Sequence, residues 1–397
     1  MHFDTIGRVP GDPILGLMEA YAQDPNPRKF DLGVGVYKDA QGLTPILQSV
    51  KLAEARLVDR QSTKTYIGGH GEPAFGKAIS ELVLGADSRL IAEKRAGATQ
   101  TPGGTGALRL SADFIAQCLP GRGVWLSNPT WPIHETIFAT AGVKVSHYPY
   151  VDSDNRLDVD AMLAVLNQAP KGDVVLLHAC CHNPTGFDLS HDDWHRVLDV
   201  VRRRELLPLI DFAYQGFGDG LEQDAWSTRL FAAELPEMLI TSSCSKNFGL
   251  YRDRAGALIV CAKTAEKLVD IRSQLANIAR NLWSTPPDHG AAVVATILSD
   301  PELKNLWSDE VDTMRVRIAQ LRSGLLEALE PYGLRERFAH IGVQRGMFSY
   351  TGLTPGQVKD LRDHHSVYMV SSGRANVAGI DATRLDLLAE AIAKVCK

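Results

Sequence analysis

A chain of 397 residues with a net charge of −5 has room for one large domain with a second attached, and it shows no electrostatic footprint for nucleic acid or anionic lipid. Six cysteines, two of them adjacent at Cys180 and Cys181, follow neither a secreted disulfide framework nor zinc-ligand spacing, so a reducing compartment and no metal are expected. The amino terminus lacks the basic region and apolar stretch of a signal peptide, and nowhere do about 18 apolar residues run together, so a cytoplasmic protein without a membrane span is expected.

The first 44 residues are short pieces broken by proline and glycine, at Asp12-Pro13, at Pro25-Asn-Pro27 and across the glycine-rich stretch 31–38. They predict a strap that completes a smaller unit further along the chain. A helix is expected to begin after Pro45, and residues 64–73 form a glycine-dense loop whose one aromatic is Tyr66. Helical signals return over residues 73–84. Then Thr99-Gln-Thr-Pro-Gly-Gly-Thr-Gly-Ala-Leu108 leads into a run with Ala107, Leu108, Leu110, Phe114, Ile115 and Cys118 at helical spacing. A glycine-rich turn that opens a helix leaves backbone N–H groups pointing outward with the positive end of the dipole behind them, which makes Gly103, Gly104 and Thr105 a candidate phosphate cradle. The stretch falls short of G-x-G-x-x-G, and a helix opened by glycine often binds nothing.

Beyond it one rhythm repeats: an apolar strand, a polar loop, a helix. Gly123-Val-Trp-Leu-Ser127 leads to Trp131 and His134, Val174-Val-Leu-Leu-His178 to Asn183, Leu207-Pro-Leu-Ile210 to Asp211 and Tyr214, and Met238-Leu-Ile-Thr241 to Lys246. This is the pattern of an α/β fold with a mostly parallel sheet covered by helices, whose ligands bind just beyond the carboxyl ends of the strands. A long helix is expected over residues 309–330, and the tail 334–397 alternates short strands, at 346–350 and 368–370, with helices as a smaller α+β unit.

A lone lysine is ordinarily a solvated charge. At a strand end it is partly desolvated, and a neutral amine attacks a carbonyl to make a Schiff base. The set of lysine, phosphate cradle, strand-end aspartate, aromatic residue and Asn/Tyr pair suits pyridoxal phosphate. Its aldehyde needs the amine, its phosphate needs donors and a cation, and its ring nitrogen needs a carboxylate to stay protonated. Arg254 provides the cation, and Ser243 and Ser245 add hydroxyls.

Four stretches carry a resemblance: Ser243-Cys-Ser-Lys-Asn-Phe-Gly-Leu-Tyr251, Cys180-Cys-His-Asn-Pro-Thr-Gly186, Asp211-Phe-Ala-Tyr-Gln-Gly-Phe217 and Ser372-Gly-Arg-Ala-Asn376. From about Asp12 to its end the chain resembles the aspartate/aromatic (tyrosine) aminotransferases of the class I, fold-type I pyridoxal-phosphate family. The resemblance implies a strap and part of the small domain over 1–44, a large cofactor-binding domain over 45–313 and a small domain over 314–397. It implies that Lys246, Asp211 and Tyr214 are catalytic. Lys246 bonds the cofactor and carries the proton, Asp211 pairs with the ring nitrogen, and Asn183 and Tyr214 meet the phenolic oxygen. Trp131 would stack on the ring, Gly103, Gly104, Thr105, Ser243 and Arg254 would hold the phosphate, and Tyr66 would reach it from the other subunit of a homodimer. His134 and His178 would stand behind the ring and Asp211.

For the substrate, the resemblance implies Arg374 on the α-carboxylate, with Gly35, Trp131 and Asn183 beside it. Arg280 would reach across the dimer to the distal carboxylate of a dicarboxylate. The implied reaction is ping-pong transfer of the amino group of aspartate, tyrosine or phenylalanine to 2-oxoglutarate. Alternatives are a β-lyase or decarboxylase using the same cofactor, a cofactor-sensing regulator, and a nucleotide-binding module. The chain departs from the family pattern at Arg252-Asp253, at Thr285 and at Gly103, where many relatives carry serine. None of these touches the lysine.

Overall fold

The computed structural model describes residues 2–8, 11 and 13–397; Asp12, where the resemblance is expected to begin, lies outside the described residues. The strands among them are β1 (Phe30–Asp31), β2 (Ala96–Pro102), β3 (Val124–Asn128), β4 (Val145–Pro149), β5 (Val174–His178), β6 (Leu207–Phe212), β7 (Met238–Ser243), β8 (Ala255–Cys261), β9 (Phe348–Tyr350), β10 (Val367–Tyr368) and β11 (Arg374–Asn376). Seven form one sheet in the order β2-β8-β7-β6-β5-β3-β4. β3 to β7 pair in parallel, β8 runs against β7, and β2 runs against β8. Only β8 is therefore inverted. Six carboxyl ends, and the start of β8, lie along a single edge of the sheet.

The apolar runs read as strands because both faces of the sheet are covered. Side chains alternate between two cores with the period of a strand. Leu176, Leu209, Leu239 and Leu258 pack toward helices Gly103–Cys118 and Ala265–Leu282. Their neighbours Val175, Ile210, Ile240 and Ile259 pack on the other face, toward helix His191–Arg204 and helix His289–Ser299. Each fully buried aliphatic side chain contributes about 1.5–3 kcal/mol.

Several boundaries differ from expectation. The helix expected after Pro45 is Gln48–Arg60, and its start is set from far away: the carboxylate of Glu310 accepts hydrogen bonds from the N–H groups of Gln48 and Ser49, in place of a local cap. The long helix starts earlier than residue 309, at Pro301 after the capping Asp300, and runs unbroken to Leu329. β6 and β7 continue through Phe212 and Ser243 because pairing goes on there, Asp211 with Thr241 and Phe212 with Ser242 between the two strands, and Ser243 with Gly256 of β8. The expected strand at 346–350 shrinks to β9, and the one at 368–370 shortens and moves back by one residue to β10. The amino-terminal strap joins the carboxyl-terminal unit. β1 pairs with β10, and the Asn376 amide donates to the carbonyls of Val34 (2.6 Å) and Val36 (2.7 Å), which places Gly35 between them. No helix among the described residues is long and apolar enough to cross a membrane.

Candidate active site

Along the edge where the carboxyl ends meet, apolar runs give way to polar residues, so distant positions converge there. A cavity of about 220 Å³ opens at this edge. The glycine helix contributes Gly104 and Thr105, β7 and its loop contribute Ser243, Lys246 and Arg254, and Asp211 and Tyr214 come from β6 and the loop after it. Trp131, Asn183, Gly35 and Arg374 complete the expected lining. Tyr251, Phe348 and Ile14 also line it and were not singled out from the sequence.

Lys246 sits three residues past the end of β7. Its loop is fixed from the long helix, where Trp307 donates its indole N–H to the Asn247 carbonyl (2.8 Å) and stacks on Phe248 at 4.4 Å. The lysine Nζ lies 4.7 Å from the centre of the Tyr214 ring. Burial pulls its ammonium below the ordinary lysine value, Asp211 opposes this and Arg254 adds to it, leaving it at about 8.

Arg254 takes a left-handed φ of 55° as the chain turns into β8. Its guanidinium reaches Ser245 Oγ (3.4 Å) and the Tyr251 carbonyl (3.1 Å). Gly103 does not line the cavity but lies against this guanidinium. A Cβ at Gly103 would stand 2.6 Å from Arg254 Nη2, and one at Gly104 would stand 3.0 Å from the Ser243 Cβ. The helix these glycines open has no side-chain cap. Its first N–H groups therefore face the cavity edge beside Arg254, and this cradle fits a phosphate.

Asp211 is held on both oxygens. His134 Nε2 lies 3.1 Å from Oδ2, and the Thr241 hydroxyl donates to Oδ1 at 2.9 Å. Burial alone would raise its carboxyl, but the contact with His134 and the hydrogen bond from Thr241 hold it at about 2. Thr130 Oγ1 links His134 Nδ1 (2.8 Å) to His178 Nε2 (3.2 Å). Burial pulls His178 down to about 3, so its ring is neutral. An ionised carboxylate in this position suits a protonated ring nitrogen.

Arg374 is 4% exposed and forms no ion pair among the described residues. It donates to the Gly33 carbonyl (2.9 Å) and to Asn183 Oδ1 (3.5 Å), rests over the Phe348 ring at 4.4 Å, and leaves Nε without a partner. A buried guanidinium with an unsatisfied donor calls for an anion. Asn183 Nδ2 reaches Tyr214 Oη at 3.5 Å, so the Asn/Tyr pair expected from the sequence is assembled. The residues present fit pyridoxal phosphate: a buried amine of lowered pKa, an uncapped helix start beside an arginine, an ionised aspartate, and a second unpaired arginine.

Two expected site residues stand apart. Tyr66 is 90% exposed, and Arg280 is exposed in the last turn of helix Ala265–Leu282; neither lines the cavity of its own chain. No local signal in the sequence marks Phe348, which reads only as a strand residue. Away from the cavity, ligand atoms of Cys180, Cys181 and Asp224 lie within 4.8 Å of one another. Asp224 already accepts N–H groups from Gly216, Gly218 and Asp219, so its carboxylate staples that loop.

The family described as aminotransferase class I and II matches residues 27–392. An aromatic-amino-acid aminotransferase of Pseudomonas aeruginosa is 76% identical over 395 residues, covering 100% of this chain and 99% of that protein. The aspartate aminotransferase of Escherichia coli is 48% identical over 394 residues, covering 99% and 100%. Among solved structures, the aromatic-amino-acid aminotransferase of Burkholderia pseudomallei covalently bound to pyridoxal phosphate superposes with a TM-score of 0.98 at 44% identity, with 100% of each chain covered.

Proposed function

The chain belongs to the class I and II aminotransferases, and from that premise we propose that it exchanges the amino group of an aromatic amino acid (tyrosine or phenylalanine) or aspartate with 2-oxoglutarate, in ping-pong fashion. It is a transaminase that works with pyridoxal phosphate. When bound, the cofactor supplies an aldehyde for the amino group and a ring that draws electrons from the substrate's α-carbon. The observation that carries the substrate reading is Arg374, buried, without a carboxylate partner, and lining the same cavity as Lys246. A bidentate grip on an α-carboxylate there orients the α-carbon toward the lysine.

The residues divide the work in this reading. Lys246 bonds the aldehyde and afterwards takes and returns a proton at Nζ, for which a value of about 8 is well matched to neutral pH. Asp211, backed by His134 and Thr241, holds the proton on the ring nitrogen. Asn183 and Tyr214 donate to the phenolic oxygen, and Trp131 covers the ring. The N–H groups from Gly103 to Thr105, with Ser243 and Arg254, bind the phosphate, and Gly35 leaves backbone room beside the substrate. Tyr66 and Arg280, exposed in the single chain, complete the site of a second copy, so the working unit is a homodimer. The large domain spans 45–313, and 1–44 with 314–397 form the small one.

The aromatic name of the relative at 76% identity, against 48% for the aspartate enzyme, supports the aromatic preference. Arg280 supports acceptance of aspartate as well. Steady-state kcat/KM for tyrosine, phenylalanine, aspartate and glutamate, in wild type and Arg280→Ala, tests both. The variant should lose aspartate far more than phenylalanine. Equal losses would remove Arg280 from the substrate site, and release of carbon dioxide or ammonia in place of a 2-oxo acid would overturn the reaction itself.

A further inference from the structure

His182 precedes Asn183 in the loop after β5 and takes no part in the chemistry above, yet it is held on every side. It is 1% exposed. Its Nε2 lies 2.9 Å from Ser127 Oγ in β3, and its Nδ1 lies 2.8 Å from Thr185 Oγ1 in its own loop. Tyr150, just past β4, stacks on the ring at 3.9 Å and 12°, and His178 at the end of β5 packs on it at 4.2 Å. The main chain is pinned too: the His182 N–H donates to Asp188 Oδ1 (3.0 Å), and its carbonyl accepts from the Gly186 N–H (2.7 Å). Two hydroxyls, each able to donate or accept, satisfy a neutral imidazole in either tautomer. Burial, with His178 and His134 nearby, keeps the ring neutral by pulling it well below the ordinary histidine value.

Packing alone needs none of these polar contacts. A phenylalanine would stack against Tyr150 and bring no buried nitrogens that require partners. The two hydroxyls add directional restraint within the ring plane, so the backbone at His182 is tied to β3, β5 and the residue after β4 together. Asn183, the next residue, has no such grip of its own. Among the described residues its side chain makes two long hydrogen bonds, 3.5 Å to Tyr214 Oη and 3.5 Å from Arg374 Nη1. Its location is therefore inherited through the backbone.

We propose that His182 is a positioning residue for the reaction: anchored by Ser127, Thr185, Tyr150 and His178, it sets where the Asn183 amide stands between Tyr214 and Arg374. This rests on the reading that Asn183 serves the cofactor's phenolic oxygen and lies beside the carboxylate-binding arginine. A shift of Asn183 then affects both at once, and a loss of packing alone affects neither.

The test uses the holoenzyme carrying His182→Phe, which keeps the stack and removes the hydrogen bonds, and His182→Gln, which restores a donor and an acceptor. Three quantities are read: the pH at which the visible band of the bound cofactor changes, KM against kcat for phenylalanine, and the melting temperature without cofactor. Because the amide donates to an anionic oxygen, its displacement disfavours the anionic form. The band transition in His182→Phe should move up by about one pH unit, the effect of one lost hydrogen bond to a charged group. KM should rise about tenfold, the same factor applied to binding, with kcat changing less, and His182→Gln should recover most of both. A lower melting temperature with unchanged transition pH and KM overturns the proposal. If His182→Phe does not fold, Ser127→Ala removes one partner of the same ring and should shift the transition upward in smaller measure; an unshifted transition overturns it equally. Failure of the functional reading looks different: wild type would then show no such band, or Lys246→Ala would retain it.

Discussion

Asp211→Asn should separate two properties of Lys246 that are usually discussed together. Burial lowers the lysine from 10.5, Asp211 raises it, and Arg254 lowers it, with a balance at about 8. At that value roughly a tenth of the amine is neutral at pH 7, each unit being about 1.4 kcal/mol between the two forms. Asparagine keeps the shape and the contact with Thr241 while removing the charge. A nearby opposite charge shifts a group by about one to three units, so taking the low end the variant lysine titrates near 7 and about half of it is neutral there. Cofactor-free Asp211→Asn should therefore capture the aldehyde of pyridoxal phosphate about fivefold faster at pH 7, the ratio of those neutral fractions. Transamination should fall by several orders of magnitude, because no carboxylate remains to hold the ring proton. Carbon-13 reductive methylation followed by NMR titration of Lys246 gives the value directly, and stopped-flow absorbance gives the capture rate. A midpoint in the variant equal to or above that of wild type refutes the electrostatic argument. A wild-type midpoint near 10.5 refutes the desolvated placement of the amine.

Two further outcomes follow from the geometry. Gly103→Ala places a Cβ 2.6 Å from Arg254 Nη2 at a φ of 71°, so the guanidinium must move and the backbone carries about 1–2 kcal/mol of left-handed strain; the cofactor's dissociation constant measured by equilibrium dialysis should rise about tenfold, and an unchanged constant would show that the cradle is not formed there. Acid should destabilise the protein below neutrality. His178 titrates at about 3 when folded, against 6.5 for the free group, so the unfolded chain binds the extra proton and stability falls as pH drops below 6.5, by up to about 1.4 kcal/mol per unit. His182 acts in the same direction. Asp188, raised by burial to about 6, binds its proton more readily when folded and works in the opposite sense, offsetting part of the loss. Urea midpoints at pH 7.5 and 5.5 check the net sign, and a midpoint that rises on acidification contradicts it.

Much of the fold could be read locally. The helix expected over 73–84 is Pro73–Leu84, and the periodic run after the glycines is the helix ending at Cys118. In both, the signals lie within a turn or two of the residues they govern: a proline at the start, glycines at a tight approach, apolar spacing along one face. Where the expectation slipped, the cause lay far off in sequence. The Gln48 helix begins where Glu310 caps it, and β6 runs on through Asp211 because β7 is beside it. The candidate site shows the same division. Lys246, Asp211, Asn183 and Arg374 stand in stretches whose composition draws attention, whereas Phe348 gains its place only by lying under Arg374 and His182 only through the strands it joins.

The amino-acid sequence by itself determined the chemistry on offer and its rough order: a carboxylate and an amine at or just past strand ends, a glycine cradle at a helix start, and arginines further along the chain. That follows because strand alternation, helix starts and turn glycines are set by neighbours a few residues away. Only the tertiary structure decided that β8 runs against its neighbours and returns Arg254 to the glycine helix, that Trp307 holds the loop of Lys246, and that Arg374 is buried with its Nε unsatisfied. These depend on contacts between residues tens to hundreds apart, where burial changes a group's protonation and its need for partners in a way that no short stretch records.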